Sequence, residues 1–301
     1  MNKYIRGALA LLLVILALPS QAAVRVLATT ADWGALTREL GGERVDVYTA
    51  TTAMQDVHRV EAKPSLVARA RTAELLVANG AELEAGWLPI LLQESGNRRI
   101  QRGAPGYFEA ISAVTLIEVP AKLDRAMGDI HPLGNPHIQL DPRNVAAVAR
   151  ALAAKLAEID PAGADHYARR GADFTMRWTD AMARWQAKAA PLKGVPVVIM
   201  HRDQVYLCRW LGLKEIAAIE PKPGVPPSAG YLGELVMRLS AAPPKMILLN
   251  AYNDPKAARW LSDRVHAPPV VLPFSVGGSP GAKDLFGLFD DTIGKLLGAA
   301  Q

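Results

Sequence analysis

The stretch Gly134-Asn135-Pro136-His137-Ile138-Gln139-Leu140-Asp141-Pro142-Arg143-Asn144 organises the reading of this chain. Asp141 followed by Pro142 is an N-cap with proline in the first helical position, so a helix is expected to begin here and to hold the preceding segment still. His137 therefore sits on a braced loop, and Pro136 limits how far it can wander. An imidazole fixed just ahead of a helix start is suited to ligate a metal. A single histidine near a turn is more often incidental. Its weight here comes from three distant residues in equivalent places.

On the C-terminal side a second cap-plus-proline signal, Asp160-Pro161, is followed by no proline until Pro191. Within that span Phe174, Trp178, Met182 and Trp185 recur at helical steps and share one face, which reads as core packing. A helix of about 29 residues would run roughly 43 Å, long enough to pass along two domains. Gly163 and Gly171 weaken its first turns slightly. We read it as a rigid strut.

On either side of the strut the pattern is βα. In the first half the sequence predicts strands at Val24–Ala28, 45–48 and Leu75–Ala78, helices through Leu40, from Pro64 and from Trp87, and a closing segment over 114–119. In the second half it predicts a near-continuous apolar strand over 195–200 ending at His201, helices over 204–211, 231–239 and 256–264, and strands over 246–249 and 270–272. A proline-rich loop covers 221–227, and Asp284 opens the closing helix. Such alternation calls for parallel sheets covered by helices. The expected fold is α/β: two lobes, each with a mainly parallel sheet, joined by one long rigid helix, with a metal in the interlobe cleft. The expected boundaries are 1–22 for a signal peptide, 23–159 for the N-terminal lobe, 160–190 for the linking helix and 191–301 for the C-terminal lobe.

The signal peptide rests on Lys3 and Arg6, the apolar run from Ala8 to Leu18, and the small residues around Gln21. That run is too short to span a bilayer. Its removal takes away two positive charges and no negative one, so the formal +5 of the whole chain falls to a small positive balance. No basic stripe with interleaved aromatics marks a nucleic-acid partner. Cys208 is the single cysteine, so no internal disulfide can form, and none lies near the cleavage site to carry a lipid. It reads as a small buried hydrophobe. Half of the 301 residues are hydrophobic, enough to fill the cores of two domains.

In open α/β sheets ligands gather beyond the carboxyl ends of the strands. His201 and Asp284 lie at such ends in the second half, His58 in such a loop in the first, and His137 just before a helix start. Three nitrogens and one oxygen make a tetrahedral shell suited to Zn²⁺.

At these residues the chain resembles the metal-specific solute-binding proteins of ABC transporters, known as cluster A-I or cluster 9. Asn135 to Asn144 is similar to the family's second-ligand motif. Val57-His58-Arg59-Val60-Glu61 followed by Lys63-Pro64-Ser65 is similar to the first, His201 through Tyr206 to Leu213 to the third, and Pro280-Gly281-Ala282-Lys283-Asp284 to the fourth. The resemblance implies a signal peptide, two α/β domains joined by a long helix, and His58, His137, His201 and Asp284 holding a metal between them. In that family a histidine at the third place goes with zinc and a carboxylate with manganese or iron, so His201 points to zinc. Three departures stand out: Val57 replaces the usual proline, the histidine-rich acidic loop is missing with only Asp124, Asp129 and His131 in its place, and Asn250 stands where glutamate is common.

The implied function is a periplasmic protein, monomeric and not an enzyme, that captures Zn²⁺ as cargo and delivers it to an ABC permease in the inner membrane. A periplasmic metal-loading chaperone is a further expected partner. The alternatives are a manganese or iron receptor of the same family and, in another class, a secreted zinc hydrolase, against which stands the lack of H-E-x-x-H. A metal-free binding module or an adhesin is a third. His131 reads as an exposed loop histidine with a secondary reading as accessory ligand, while His166 and His266 read as structural. Glu61 and Asp141 are candidates to orient ligand imidazoles, and Asp290 and Asp291 lie close enough to compete with Asp284 for the fourth place.

Overall fold

The computed structural model describes residues 22–121 and 131–301. All but one residue of the expected signal peptide, and Asp124 and Asp129, lie outside them. Two four-stranded parallel sheets form the two lobes. The first contains β1 (Val24–Ala28), β2 (Val45–Thr49), β3 (Leu75–Ala78) and β4 (Tyr107–Glu109), in the order β2-β1-β3-β4. The second contains β5 (Pro196–Ile199), β6 (Lys214–Ala218), β7 (Met246–Asn250) and β8 (Pro269–Leu272), in the order β6-β5-β7-β8. Both sheets thus reverse direction beside their first strand, and the crevice beyond that point is where such folds seat ligands. The central strands β3 and β7 are buried along their whole length, as continuous apolar runs covered on both faces must be.

Helices α1 (Ala31–Gly41), α2 (Pro64–Thr72) and α3 (Leu88–Ser95) cover the first sheet. Helix α4 (Pro142–Ile159) starts where the Asp141-Pro142 signal placed it, with the Asp141 side chain accepting from the Arg143 amide. The strut α5 (Ala164–Lys188) has 25 residues and begins later than expected, because Pro161–Gly163 forms a 3₁₀ turn first. Any Cβ at Gly163 would lie 2.3 Å from Arg44 Nε and 2.4 Å from Asp160 Oδ2, so the turn closes over the Arg44–Asp160 ion pair that ties the strut to the first lobe. Helices α6 (Val205–Leu211), α7 (Ala229–Ala241), α8 (Lys256–Val265) and α9 (Leu285–Ala300) cover the second sheet.

One hydrophobic core runs through both lobes, from Trp33 and Leu36 on α1 across Phe174, Trp178 and Trp185 on the strut to Phe289 on α9. Trp178 lies 5.0 Å from Trp185 and 4.9 Å from Phe286, ring centroid to centroid. Its indole N–H donates to the Pro142 carbonyl at 2.8 Å, and that of Trp185 donates to Asp290 at 2.8 Å. The stripe read from sequence is therefore core, with Met182 at its partly buried margin. Separate clusters fill the outer faces, around Leu66 and Leu91 in one lobe and Val198 and Leu261 in the other.

Two parts of the sequence reading are corrected. Residues 114–119 form no strand. Glu118 has a positive φ of 56°, and the segment turns across the lobe seam, where the Ile117 amide meets the Tyr206 hydroxyl and its carbonyl accepts from the Asn135 amide. The fourth strand is instead β4. Strand β6, which the reading did not anticipate, carries Lys214 and Glu215 because it lies at a sheet edge where charges are tolerated.

Candidate metal centre

His58 follows β2 in a turn pinned by Asp56: one oxygen of that carboxylate accepts the His58 backbone N–H at 3.0 Å and faces ring Nδ1 at 2.9 Å. His137 is held by its backbone N–H donating to the Asn135 side chain at 3.0 Å. The Pro136 carbonyl before it accepts from Asn79, whose own oxygen accepts from the Trp33 indole. His201 stands two residues past β5, with Nδ1 2.7 Å from Glu220, a carboxylate that also accepts the Gly224 amide at 2.9 Å.

These elements bring the three imidazoles together from both lobes. Ring centroids are 5.5 Å apart for His58 and His137, 5.7 Å for His137 and His201, and 6.2 Å for His58 and His201. Imidazoles on one tetrahedral metal, bonded at about 2.0–2.1 Å, have centroids roughly 5 Å apart. Among the described residues no three His, Cys, Asp or Glu side chains stand preformed as a ligand group. The three ring spacings nevertheless approach that value, and it is this spacing that carries weight. A fourth imidazole joins them: His131 Nε2 is 3.3 Å from His58 Nε2, with ring centroids 5.3 Å apart.

The electrostatics suit a cation. His137 is 2% exposed, its Nδ1 has no hydrogen-bond partner, and burial, aided by the neighbouring imidazoles, holds its pKa well below the ordinary value of 6.5. A buried neutral imidazole of this kind keeps one ring N–H and offers the lone pair of its other nitrogen. For His201 burial opposes the charge, but the Glu220 hydrogen bond and the nearby carboxylates outweigh it and raise the pKa to about 9. Nδ1–H donation to Asp56 and Glu220 makes Nε2 of His58 and of His201 the nitrogen left for a metal, that of His201 once it gives up its proton, the usual way a carboxylate orients a ligating histidine. Phe274, in a positive-φ conformation, sets its ring 5.8 Å from His137 and walls the cluster. Two openings reach it: a cavity of about 620 Å³ bordered by His58, His201 and Trp260, and one of about 390 Å³ bordered by His131, His137 and Arg202.

Among the described residues no contact joins Asp284 to the histidines. It is the exposed N-cap of α9, accepting the Gly287 amide at 2.8 Å, and it borders a different surface depression with Arg38 and Lys283. Asp290 is engaged by Trp185, and Asp291 by Ser279 and Lys295. Glu61 is exposed, and Asp141 caps α4 and pairs with Arg143. The carboxylates that orient imidazoles are Asp56 and Glu220. The sequence reading missed both: Asp56, two residues before His58, had a local spacing that could have marked it, whereas Glu220 lies 19 positions from His201 and carries no local signal.

Asn250 belongs to a buried network beneath His201, donating to Asp203, which also accepts from the Tyr252 hydroxyl at 2.8 Å. His166 contacts the Gly41 carbonyl at 2.8 Å, and His266 caps α8 in the left-handed conformation. Cys208 is buried, which pushes its thiol pKa up.

Fold and cluster together define a two-lobed α/β protein with a cluster of imidazoles between its lobes. The chain belongs to the family described as zinc-uptake complex component A, periplasmic, which residues 26–299 match. The high-affinity zinc uptake system protein ZnuA of Bacillus subtilis is 21% identical over 240 residues, 78% of this chain and 73% of that protein. The manganese ABC transporter substrate-binding lipoprotein PsaA of Streptococcus anginosus is 24% identical over 155 residues, 50% of this chain and 47% of that one. The chain thus spans about half the length of the manganese relatives it matches. A crystal structure of ZnuA superimposes with a TM-score of 0.77 at 22% identity, covering 93% of this chain and all of the other.

Proposed function

We propose that this protein captures a divalent transition metal, with Zn²⁺ as the preferred cargo, and passes it to an ABC permease in the inner membrane. The observation that carries this reading is the convergence of His58, His137 and His201 from both lobes, with ring centroids no more than 6.2 Å apart and two rings backed by carboxylates. Relatives named for zinc and for manganese both occur, so the family does not choose between them. The donor chemistry supports zinc. Nitrogen ligands suit zinc, whereas manganese favours carboxylate oxygens, and the carboxylate expected at Asp284 caps a helix instead.

The match to the zinc-uptake component family supports reading the metal as cargo and not catalyst. The cleavable leader read from residues 1–22 supports a periplasmic location, and a monomer is the working state. Release has to come from loosening of the ligand loops, since the shared core through the strut resists large lobe separation. Metal analysis of the purified protein, followed by competition titration, tests the proposal. One equivalent of Zn²⁺ that Mn²⁺ or Fe²⁺ cannot displace at comparable concentration is the expected result, and displacement would move the assignment to the manganese or iron branch.

A further inference from the structure

We propose that the fourth donor to the metal is the imidazole of His131, so that the shell is made of four nitrogens with no carboxylate in it. The inference rests on the metal-capture reading above and specifies the coordination of that same site. The first observation is the nitrogen pair: His131 Nε2 lies 3.3 Å from His58 Nε2. With metal–nitrogen bonds of about 2.0–2.1 Å, the edge of a tetrahedral shell is roughly 3.3–3.4 Å. His131 therefore already stands one shell edge away from a ligand in the direction of its donor atom, and its ring lies 6.4 Å from that of His137.

The second observation is how His131 is attached. Its carbonyl accepts the Gly134 amide at 3.0 Å, closing a turn that runs directly into Asn135 and His137. Gly134 has a φ of +115°, and a Cβ there would lie 2.7 Å from the Ile117 carbonyl, so this turn is seated against the 114–119 segment in a way only glycine permits. Asn135 pins the turn across the seam by donating to Glu118 at 2.9 Å and to the Arg202 carbonyl at 2.8 Å. One anchored turn thus presents His131 at one end and His137 at the other.

The third observation is that the carboxylates of the 280–291 segment are engaged elsewhere, Asp284 by the helix it caps, Asp290 by Trp185 and Asp291 by Lys295 and Ser279. Charge balance does not need them. Four neutral imidazoles leave the cation its full charge, and the carboxylates of Asp56 and Glu220, one behind His58 and one behind His201, supply two negative charges a single ring away. Such a shell discriminates against oxygen-seeking manganese more strongly than one containing a carboxylate.

X-ray absorption at the zinc edge, with affinity by competition against a zinc chelator, tests this on the full mature chain and on His131→Ala, Asp284→Ala and His137→Ala. The wild type should show four imidazoles. His131→Ala should show three plus one light atom, with affinity reduced on the order of tenfold or more, while Asp284→Ala should keep four imidazoles and an affinity within about twofold of wild type. Three imidazoles plus a carboxylate in the wild type, an unchanged spectrum for His131→Ala, or a large loss in Asp284→Ala would overturn the assignment of His131 and leave the capture reading standing. Wild-type affinity in His137→Ala would overturn the capture reading itself. His131→Glu separates loss of a donor from damage to the turn, since a carboxylate of similar reach should restore a four-coordinate shell with one oxygen.

Discussion

The two lobes share one strand order and contribute unequally to the site. The N-terminal lobe brings three imidazoles, His58, His131 and His137, to within 6.4 Å of one another. The C-terminal lobe brings one, His201, whose ring Glu220 holds, with the hydrogen-bonded network of Asp203, Asn250 and Tyr252 close by. Equal strand order fixes where loops emerge, and loop chemistry then decides which lobe supplies donors and which supplies support. The site is therefore a cluster on one lobe completed by a held imidazole from the other.

Five substitutions test this division between the lobes. The largest effect belongs to the strut, because the lobes share their core through it. Trp178→Ala removes a fully buried ring and its hydrogen bond to Pro142, which should cost about 3–5 kcal/mol and lower both lobes in one calorimetric transition. Two separated transitions would mean that the lobes are stable independently of the strut.

Next in size is the clasp between the lobes at Asp32, which accepts from the Ser275 hydroxyl at 2.7 Å and the Val276 amide at 3.0 Å. Burial raises its pKa to about 6 against these hydrogen bonds. A raised carboxyl favours its protonated form in the folded state. The stabilisation is complete below the ordinary value of 3.8 and is lost as pH rises through about 6, a swing of about 3 kcal/mol. Asp32→Asn keeps an acceptor for Val276 and should flatten the dependence of melting temperature on pH between 4 and 7, leaving the variant at least as stable as wild type at neutral pH. An unchanged slope would show that the clasp is not the titrating group.

His137→Ala removes the buried central donor and should weaken Zn²⁺ binding by about 100-fold or more, beyond the 10–100-fold that loss of an orienting partner alone brings. The smallest expected effects are those of Asp56→Asn and Glu220→Gln, each about tenfold weaker in zinc titrations with the same stoichiometry. If one of them abolished binding, its carboxylate would be a direct ligand and the division between donors and supports would need redrawing.

Much of this was legible in the sequence. Asp141-Pro142 and Asp160-Pro161 marked the starts of α4 and the strut region, and the aromatic stripe marked the strut's buried face, because caps, prolines and helical spacing are local signals. His58 and His201 could be read from loops at strand ends, and His137 from the loop before a helix start. Asp284 was ambiguous in sequence because a carboxylate that caps a helix and one that ligates a metal share the same short motif, and in the structure it is the cap of α9. The 114–119 segment looked like a strand because its apolar residues line the seam between lobes. Glu220 was invisible for a different reason: its partner lies across a strand and a helix, and no spacing rule connects them.

The central claim is that donors from both lobes enclose one metal ion. A zinc-edge anomalous difference map from crystals of the zinc-loaded mature protein tests it most directly. The account predicts a single strong peak about 2.0–2.1 Å from nitrogens of His58, His137 and His201. A peak bound by residues of one lobe alone, or no peak among these three histidines, would contradict it.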